Sequence, residues 1–237
     1  MMHPFVKHAL PMFVTAALVV PGGAAMATEE PKFETMSRHG PFELRRYAPF
    51  IVAETFVEGD MDAASNTGFR AIADYIFGNN VSAGPAPAEK IAMTVPVTLE
   101  PVQTPGKTTS QKIAMTVPVA LEPLPTAPSA NTPAPAMQGA NRWRVHFVMP
   151  SAYTLATLPK PNNPAVQLRE VPAKTWAVLR YSGFNTEAGT QQRTDELLAW
   201  LADRNIKTIG SPQLARYNPP WSLPMLRRNE VMIETAP

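Results

Sequence analysis

The side chains able to do chemistry in this 237-residue chain are few. There is no cysteine, which removes disulfides, thiolate zinc sites, iron–sulfur clusters, a cysteine nucleophile and covalent c-type haem attachment. Of four histidines, His3 and His8 fall in a leader-like start, leaving His39 and His146 as the imidazoles able to ligate a metal. Neither has a carboxylate at zinc-site spacing, so a catalytic zinc is not expected. His39, beside Gly40-Pro41, reads as an exposed residue just before a strand. His146 shares a strand face with Arg142 and Arg144, either a solvated polar face or a basic surface for a carboxylate-bearing ligand. Glu54 and Glu230 would act as general bases if desolvation raised their pKa values. No Gly-x-Ser-x-Gly, His-Glu-x-x-His, P-loop or Rossmann pattern accompanies them, which argues against an enzyme. Met93 and Met115 carry thioether sulfur, but methionine at alternating strand positions reads as core filler.

Elements must position these groups. Phe42 to Tyr47 alternates apolar and polar residues, as a strand does, and Ile51 to Val57 is a second β-rich run. Phe69, Ile72, Ala73, Ile76 and Phe77 then follow helical spacing and define one apolar face. Asp60 or Asp62 suits the N-cap, and Gly78 the stop. Lys90 to Pro101 recurs from Lys112 to Pro123, with only Thr98 replaced by Ala120 over twelve positions. Each copy reads as a strand, and the Pro105-Gly106 linker suggests that the copies pair as an antiparallel hairpin, with Pro96 and Pro118 at edges or bulges. Residues 123–141 carry no charge between Pro123 and Asn141 and read as a surface loop rich in Pro and Ala. Arg142 to Met149 and Val166 to Val171 are expected strands, with Trp143, Val145, Phe147 and Met149 on one face of the former. A second half repeats the order: a strand over Thr175–Tyr181, then a helix capped by Thr186. That helix runs to Asn205 with Leu197, Leu198 and Leu201 as its stripe, and strands follow over Gln213–Tyr217 and Glu230–Glu234. Two βαββ-like halves in one α+β domain are the expected architecture, an antiparallel sheet or barrel with two helices outside.

Composition sets the frame. Twenty-seven prolines argue against a helical bundle, because proline breaks helix interiors. A formal net charge of +2 gives no electrostatic case for nucleic acid. Residues 1–27 read as a signal peptide: a weakly basic start, an apolar run from Leu10 to Val20, a Pro-Gly-Gly break and Ala25-Met26-Ala27 for cleavage. The run is too short for a spanning helix. Export, most simply to the periplasm, with no membrane span left after cleavage, is the expectation. Residues 28–41 then form an N-terminal extension and 42–235 the domain.

Five blocks together resemble the SOUL haem-binding family. They are Phe42-Glu43-Leu44-Arg45-Arg46-Tyr47; Gly68-Phe69-Arg70 with Asp74 to Asn80; the Lys-Ile-Ala-Met-Thr-Val-Pro-Val block; Ala215 to Trp221; and Arg227-Arg228-Asn229-Glu230-Val231. The resemblance implies a distorted antiparallel β-barrel of two similar halves flanked by two helices. It implies haem or a related tetrapyrrole as ligand and partner, held in an apolar cleft beside the first helix without strong axial ligation, for transport or buffering. Arg46, Tyr47, Phe69, Ile72, Ile76, Tyr217 and Trp221 would line that cleft, although the helix residues fit an ordinary helix–sheet core equally well. Some family members carry a ligating histidine where this chain has Arg46. Arginine has no lone pair for iron but can pair with a propionate. His39 and His146 are then the candidate iron ligands. The alternatives are a GyrI-like small-molecule hydrolase using Glu230 or Glu54, and a carrier of non-haem apolar ligands.

Overall fold

The computed structural model describes residues 29–82, 97–99, 119–123, 137–219 and 221–236. The elements run β1 (Phe33–His39), β2 (Phe42–Tyr47), β3 (Phe50–Glu58), α1 (Met61–Phe77), β4 (Asn80–Val81), β5 (Val97–Leu99), β6 (Val119–Pro123) and β7 (Arg142–Val148). They continue with β8 (Lys160–Pro161), β9 (Gln167–Val171), β10 (Lys174–Tyr181), α2 (Glu187–Ala202), β11 (Thr208–Arg216), a 3-10 turn (Pro224–Leu226) and β12 (Asn229–Thr235).

Nine strands join in the order β1-β2-β10-β12-β11-β5-β7-β3-β9, every pair antiparallel, and β6 also pairs with β7. β4 and β8 form a separate two-stranded ribbon. The order is symmetric about the β11–β5 seam. On one side β10, α2, β11 and β12 repeat what β3, α1, β5 and β7 do on the other, so the two βαββ halves are both present.

The helices form for the reasons their sequences carry. The Asp60 carboxylate accepts from the N–H groups of Asp62 and Ala63 at 3.0 and 2.8 Å, settling the N-cap of α1. Gly78, at φ 129°, ends it by donating to the carbonyls of Asp74 and Tyr75. Ile72, Tyr75 and Ile76 pack with Ala53, Trp143, Val145 and Phe147 of β3 and β7. Gly68 lets this helix approach closely, since a Cβ there would overlap the Val145 side chain. The Thr186 hydroxyl caps α2 by accepting from Gly189 N–H at 3.1 Å. Leu197, Trp200 and Leu201 bury against Ala177, Leu179, Val231 and Ile233. Trp200 rather than Leu198 completes that stripe: Leu198 is exposed, while Trp200 stacks on Phe42 at 5.1 Å.

Three expectations change. The stretch expected as an extension holds β1, so His39 lies at the end of a strand, not before the first one. Among the described residues of the two copies, β5 and β6 are not paired with each other as a hairpin; both pair with β7. The face of β7 that carries Arg144 and His146 is buried, with both residues under a tenth exposed. The cause is curl. One small cavity takes Tyr47 from β2, near one end of the sheet, and Arg169 and Val171 from β9 at the other. The sheet therefore wraps around its polar-patterned face, and the helices cover the opposite one. Residues 1–28, Met93, Met115, Pro96, Pro118 and the 105–106 linker lie outside the described residues, as does most of the 123–141 loop. No helix among the described residues is long and apolar enough to cross a membrane.

Candidate functional site

Alternation on β2 sends Phe42, Leu44 and Arg46 toward the helix side and Glu43, Arg45 and Tyr47 into the wrapped interior. Arg45 is 1% exposed and is the hub. Its guanidinium donates to Glu43 at 2.7 Å, to the Tyr47 hydroxyl at 3.2 Å and to both oxygens of Glu230 at 2.8 and 3.0 Å. Glu230 is fully buried and also accepts from the Tyr217 hydroxyl at 2.6 Å and from Arg228 at 2.9 Å. Arg228 lies 3.7 Å over the Tyr217 ring and reaches Glu30 at 2.8 Å. Burial by itself would raise the Glu230 pKa. The charge and hydrogen bonds of Arg45, then Arg228 and Tyr217, overturn that and hold the carboxyl below its ordinary value. Burial, with the Glu230 charge adding to it, pushes the Tyr217 phenol well up, so it stays a neutral donor. A base poised for neutral pH needs the opposite shift, so the surroundings of Glu230 are those of an anchoring anion. Glu54 is likewise taken up by guanidinium groups, Arg169 at 2.8 Å and Arg144 at 3.6 Å.

Beside this network lies an inner cavity of about 40 Å³. Tyr47, Phe50, Trp176 and Met232 give it aromatic and apolar walls, and Arg169 and Lys174 add cationic ones. His146 lines it as well, and its Nδ1 has no hydrogen-bond partner among the described residues. Burial, then the charges of Arg169 and Arg144, press its pKa well below 6.5. The imidazole is thus neutral at pH 7 and keeps a lone pair. Pro31, Phe50 and Val148 are shared with a larger cleft of about 450 Å³, within the size range of small-molecule sites. Ile51, Met149, Tyr153 and Leu155 line that outer cleft.

The residues expected to share one cleft are divided by the sheet. Tyr47 lines the inner cavity, and Tyr217 packs beside it in the same aromatic cluster. Ile72 and Ile76 are sealed in the core under α1, with Phe69 packed against that core. Neither of these two cavities takes a residue from α1. Arg46 is exposed on the far face of β2 and pairs with Glu34 at 3.4 Å. Trp221 is 83% exposed on a loop. His39 is exposed, with its ring 6.0 Å from Trp200 on the helix side. Among the described residues no group of three or more His, Asp or Glu is placed to hold a metal ion, so His146 is a single candidate ligand. Arg45, Arg169 and Lys174 escaped the sequence reading. The signal lay in matched charges two residues apart, Glu43/Arg45 and Arg228/Glu230, at one face of two strands.

A duplicated βαββ domain whose sheet encloses a polar network and a pocket is the class these features define. The chain belongs to the SOUL haem-binding protein family, whose model matches residues 28–234. None of the curated proteins matches the sequence. Among solved structures it is similar to the C-terminal domain of EcmrR, at 12% identity and a TM-score of 0.51, covering 82% of this chain and 96% of that one. The EcmrR–DNA complex gives 11% identity and a TM-score of 0.50, with 82% of this chain and 56% of that chain covered. A hydrolase from Listeria innocua follows at 11% identity and a TM-score of 0.46, covering 85% and 94%. At such identities the likeness is one of fold.

Proposed function

We propose that this protein binds a tetrapyrrole, haem first among them, in the groove formed by the outer cleft and the inner cavity. The observation that carries the reading is His146, a buried, neutral imidazole whose Nδ1 has no partner among the described residues, inside an aromatic-walled pocket. The residues fit the group by chemistry. Phe50, Val148, Met149 and Tyr153 offer apolar and aromatic surface to a macrocycle, and His146 offers iron a nitrogen. Arg169, bridged to Glu54 at 2.8 Å, and Lys174, bridged to Glu234 at 2.6 Å, are each about a third exposed and would have to share their charge with propionates, the role first given to Arg46. The inner cavity admits a group near the size of one water and not a macrocycle, so the ring belongs in the outer cleft, whose lining does not include His146; ligation by His146 requires the inner cavity to open toward that cleft. That size limit is also what favours the second reading, a carrier of smaller apolar ligands. Export to the periplasm, on the strength of residues 1–27, is part of the proposal, as is a carrier or buffering role.

A hemin titration followed at the Soret band tests it. The expected result is saturation at one haem per chain, with a band position that moves in His146→Ala and stays put in His39→Ala. A saturable signal unchanged in His146→Ala overturns the ligand assignment. A weak, non-saturating change overturns haem binding and turns attention to smaller apolar ligands.

A further inference from the structure

Eleven large hydrophobic side chains are exposed among the described residues, and five of them sit together. Trp221, Leu223, Met225 and Leu226, at 83, 60, 68 and 71% exposure, crown the loop between β11 and β12, and Phe184, at 73%, stands on the neighbouring loop. This loop is not slack. Ser222 N–H donates to Pro219 at 3.0 Å, Leu226 N–H to Leu223 at 2.9 Å, and the Arg227 Nε to the Ser222 carbonyl at 2.9 Å. Asn218 accepts from Arg228 N–H at 2.6 Å and closes the base. Gly183 N–H bonds Pro224 at 2.9 Å, and Arg227 lies 5.9 Å over the Phe184 ring, so the two loops form one finger. Its backbone hydrogen bonds hold apolar side chains in water instead of letting them fold back, which marks a surface made for contact.

The charge around the finger says with what. Arg38, Arg180, Arg227 and Arg228 line the groove at its foot, and the acid there, Glu43, is already bridged to Arg38 and Arg45. From tip to base the order is tryptophan and aliphatic side chains, then guanidinium groups. A bilayer presents the matching gradient, acyl chains below anionic headgroups. We infer that this finger docks the protein on an anionic lipid surface, Trp221 at the interface and Arg180 and Arg227 on the headgroups. The docking does not depend on what occupies the pocket.

Trp221 makes the test local, because Trp143, Trp176 and Trp200 are buried, at 0, 7 and 8% exposure. The full chain is mixed with phosphatidylcholine–phosphatidylglycerol vesicles carrying brominated acyl chains. The expected result is a blue shift and bromine quenching that vanish in Trp221→Phe. Binding should weaken at least about tenfold in Arg180→Glu/Arg227→Glu and on phosphatidylcholine alone. Trp221 left equally open to acrylamide with vesicles present would overturn the proposal, since another segment then makes the contact. So would Trp221 already shielded without vesicles in a chain that associates, because a second copy then covers the finger.

Discussion

Replacing Arg45 by methionine tests whether the buried charges act as one unit. Methionine keeps much of the stem and removes the charge and four side-chain hydrogen bonds. Glu230 would keep Arg228 and Tyr217, and Glu43 would keep Arg38, so two carboxylates stay buried with reduced compensation. Breaking one partner of a buried ion pair costs about 3–5 kcal/mol. In a domain of this size each kcal/mol lowers Tm by about 2–4 °C, so a fall of roughly 6–20 °C is expected. Glu230→Gln leaves Arg45 short of its main partner and should cost a similar amount. The double variant removes both charges. It should therefore lose about 1–3 kcal/mol less than the sum of the singles, as residues in one network do. Urea unfolding of the four proteins, followed by tryptophan fluorescence, gives the cycle. Additivity within about 0.5 kcal/mol would refute the claim that Arg45 and Glu230 form a unit. Acid gives a second arm. Because the folded-state pKa of Glu230 is depressed, its contribution is complete above the unfolded value near 4.3 and is lost as pH falls through the folded one. The wild type should thus lose stability below about pH 4.3 more steeply than Glu230→Gln.

His146 titrates with the same sign, at higher pH. Its folded pKa is lowered, so the unfolded chain takes the proton first, and stability should fall as pH drops from about 6.5 toward the folded value. In His146→Leu that slope between pH 7 and 5 should flatten in urea melts, and an unchanged slope would rule out the buried neutral imidazole. Gly68→Ala should destabilise by about 1–3 kcal/mol despite alanine's better helix propensity, because its Cβ meets Val145; a gain in Tm would show that α1 is free to shift. Deleting residues 90–111, one repeat copy with its linker, should leave folding and Tm nearly unchanged, whereas deleting 90–123 should unfold the sheet. Loss of folding in the single deletion would show that the copies have separate places.

The helix side of the sheet was legible because its rule is local. Apolar residues at helical spacing on α1 and at every second position on β7 and β10 had to meet, and the caps at Asp60 and Thr186 were written in residue type. The interior was not legible, because an antiparallel sheet commonly leaves one face to water, and a strand carrying Arg142, Arg144 and His146 reads as that face. Only the curl, a sum of twists over nine strands, brings β2 and β9 around one cavity and buries Arg144 and His146. Arg45 and Arg46 show how fine the distinction is. They are adjacent in sequence and identical in type, yet one is the centre of the network and the other pairs with Glu34 in solvent. Alternation assigns the two to opposite faces, but which face is enclosed depends on strands more than a hundred residues away.

The duplicated segment poses the same problem in the backbone. A strand has two edges, and β3 takes one edge of β7 along Val52 to Glu58. On the other edge Thr98 and Ala120 both stand opposite His146, and Leu99 and Leu121 both stand opposite Val145. Two near-identical sequences thus meet one slot in one register, and their alternation gives no basis for ranking them. A hairpin between the copies would leave that slot, and the β11 edge that Val97 to Leu99 also satisfies, without a strand. Filling the seam between the two halves is the stronger demand, because unpaired N–H and C=O groups inside a sheet are costly. The single difference between the copies falls opposite the candidate iron ligand.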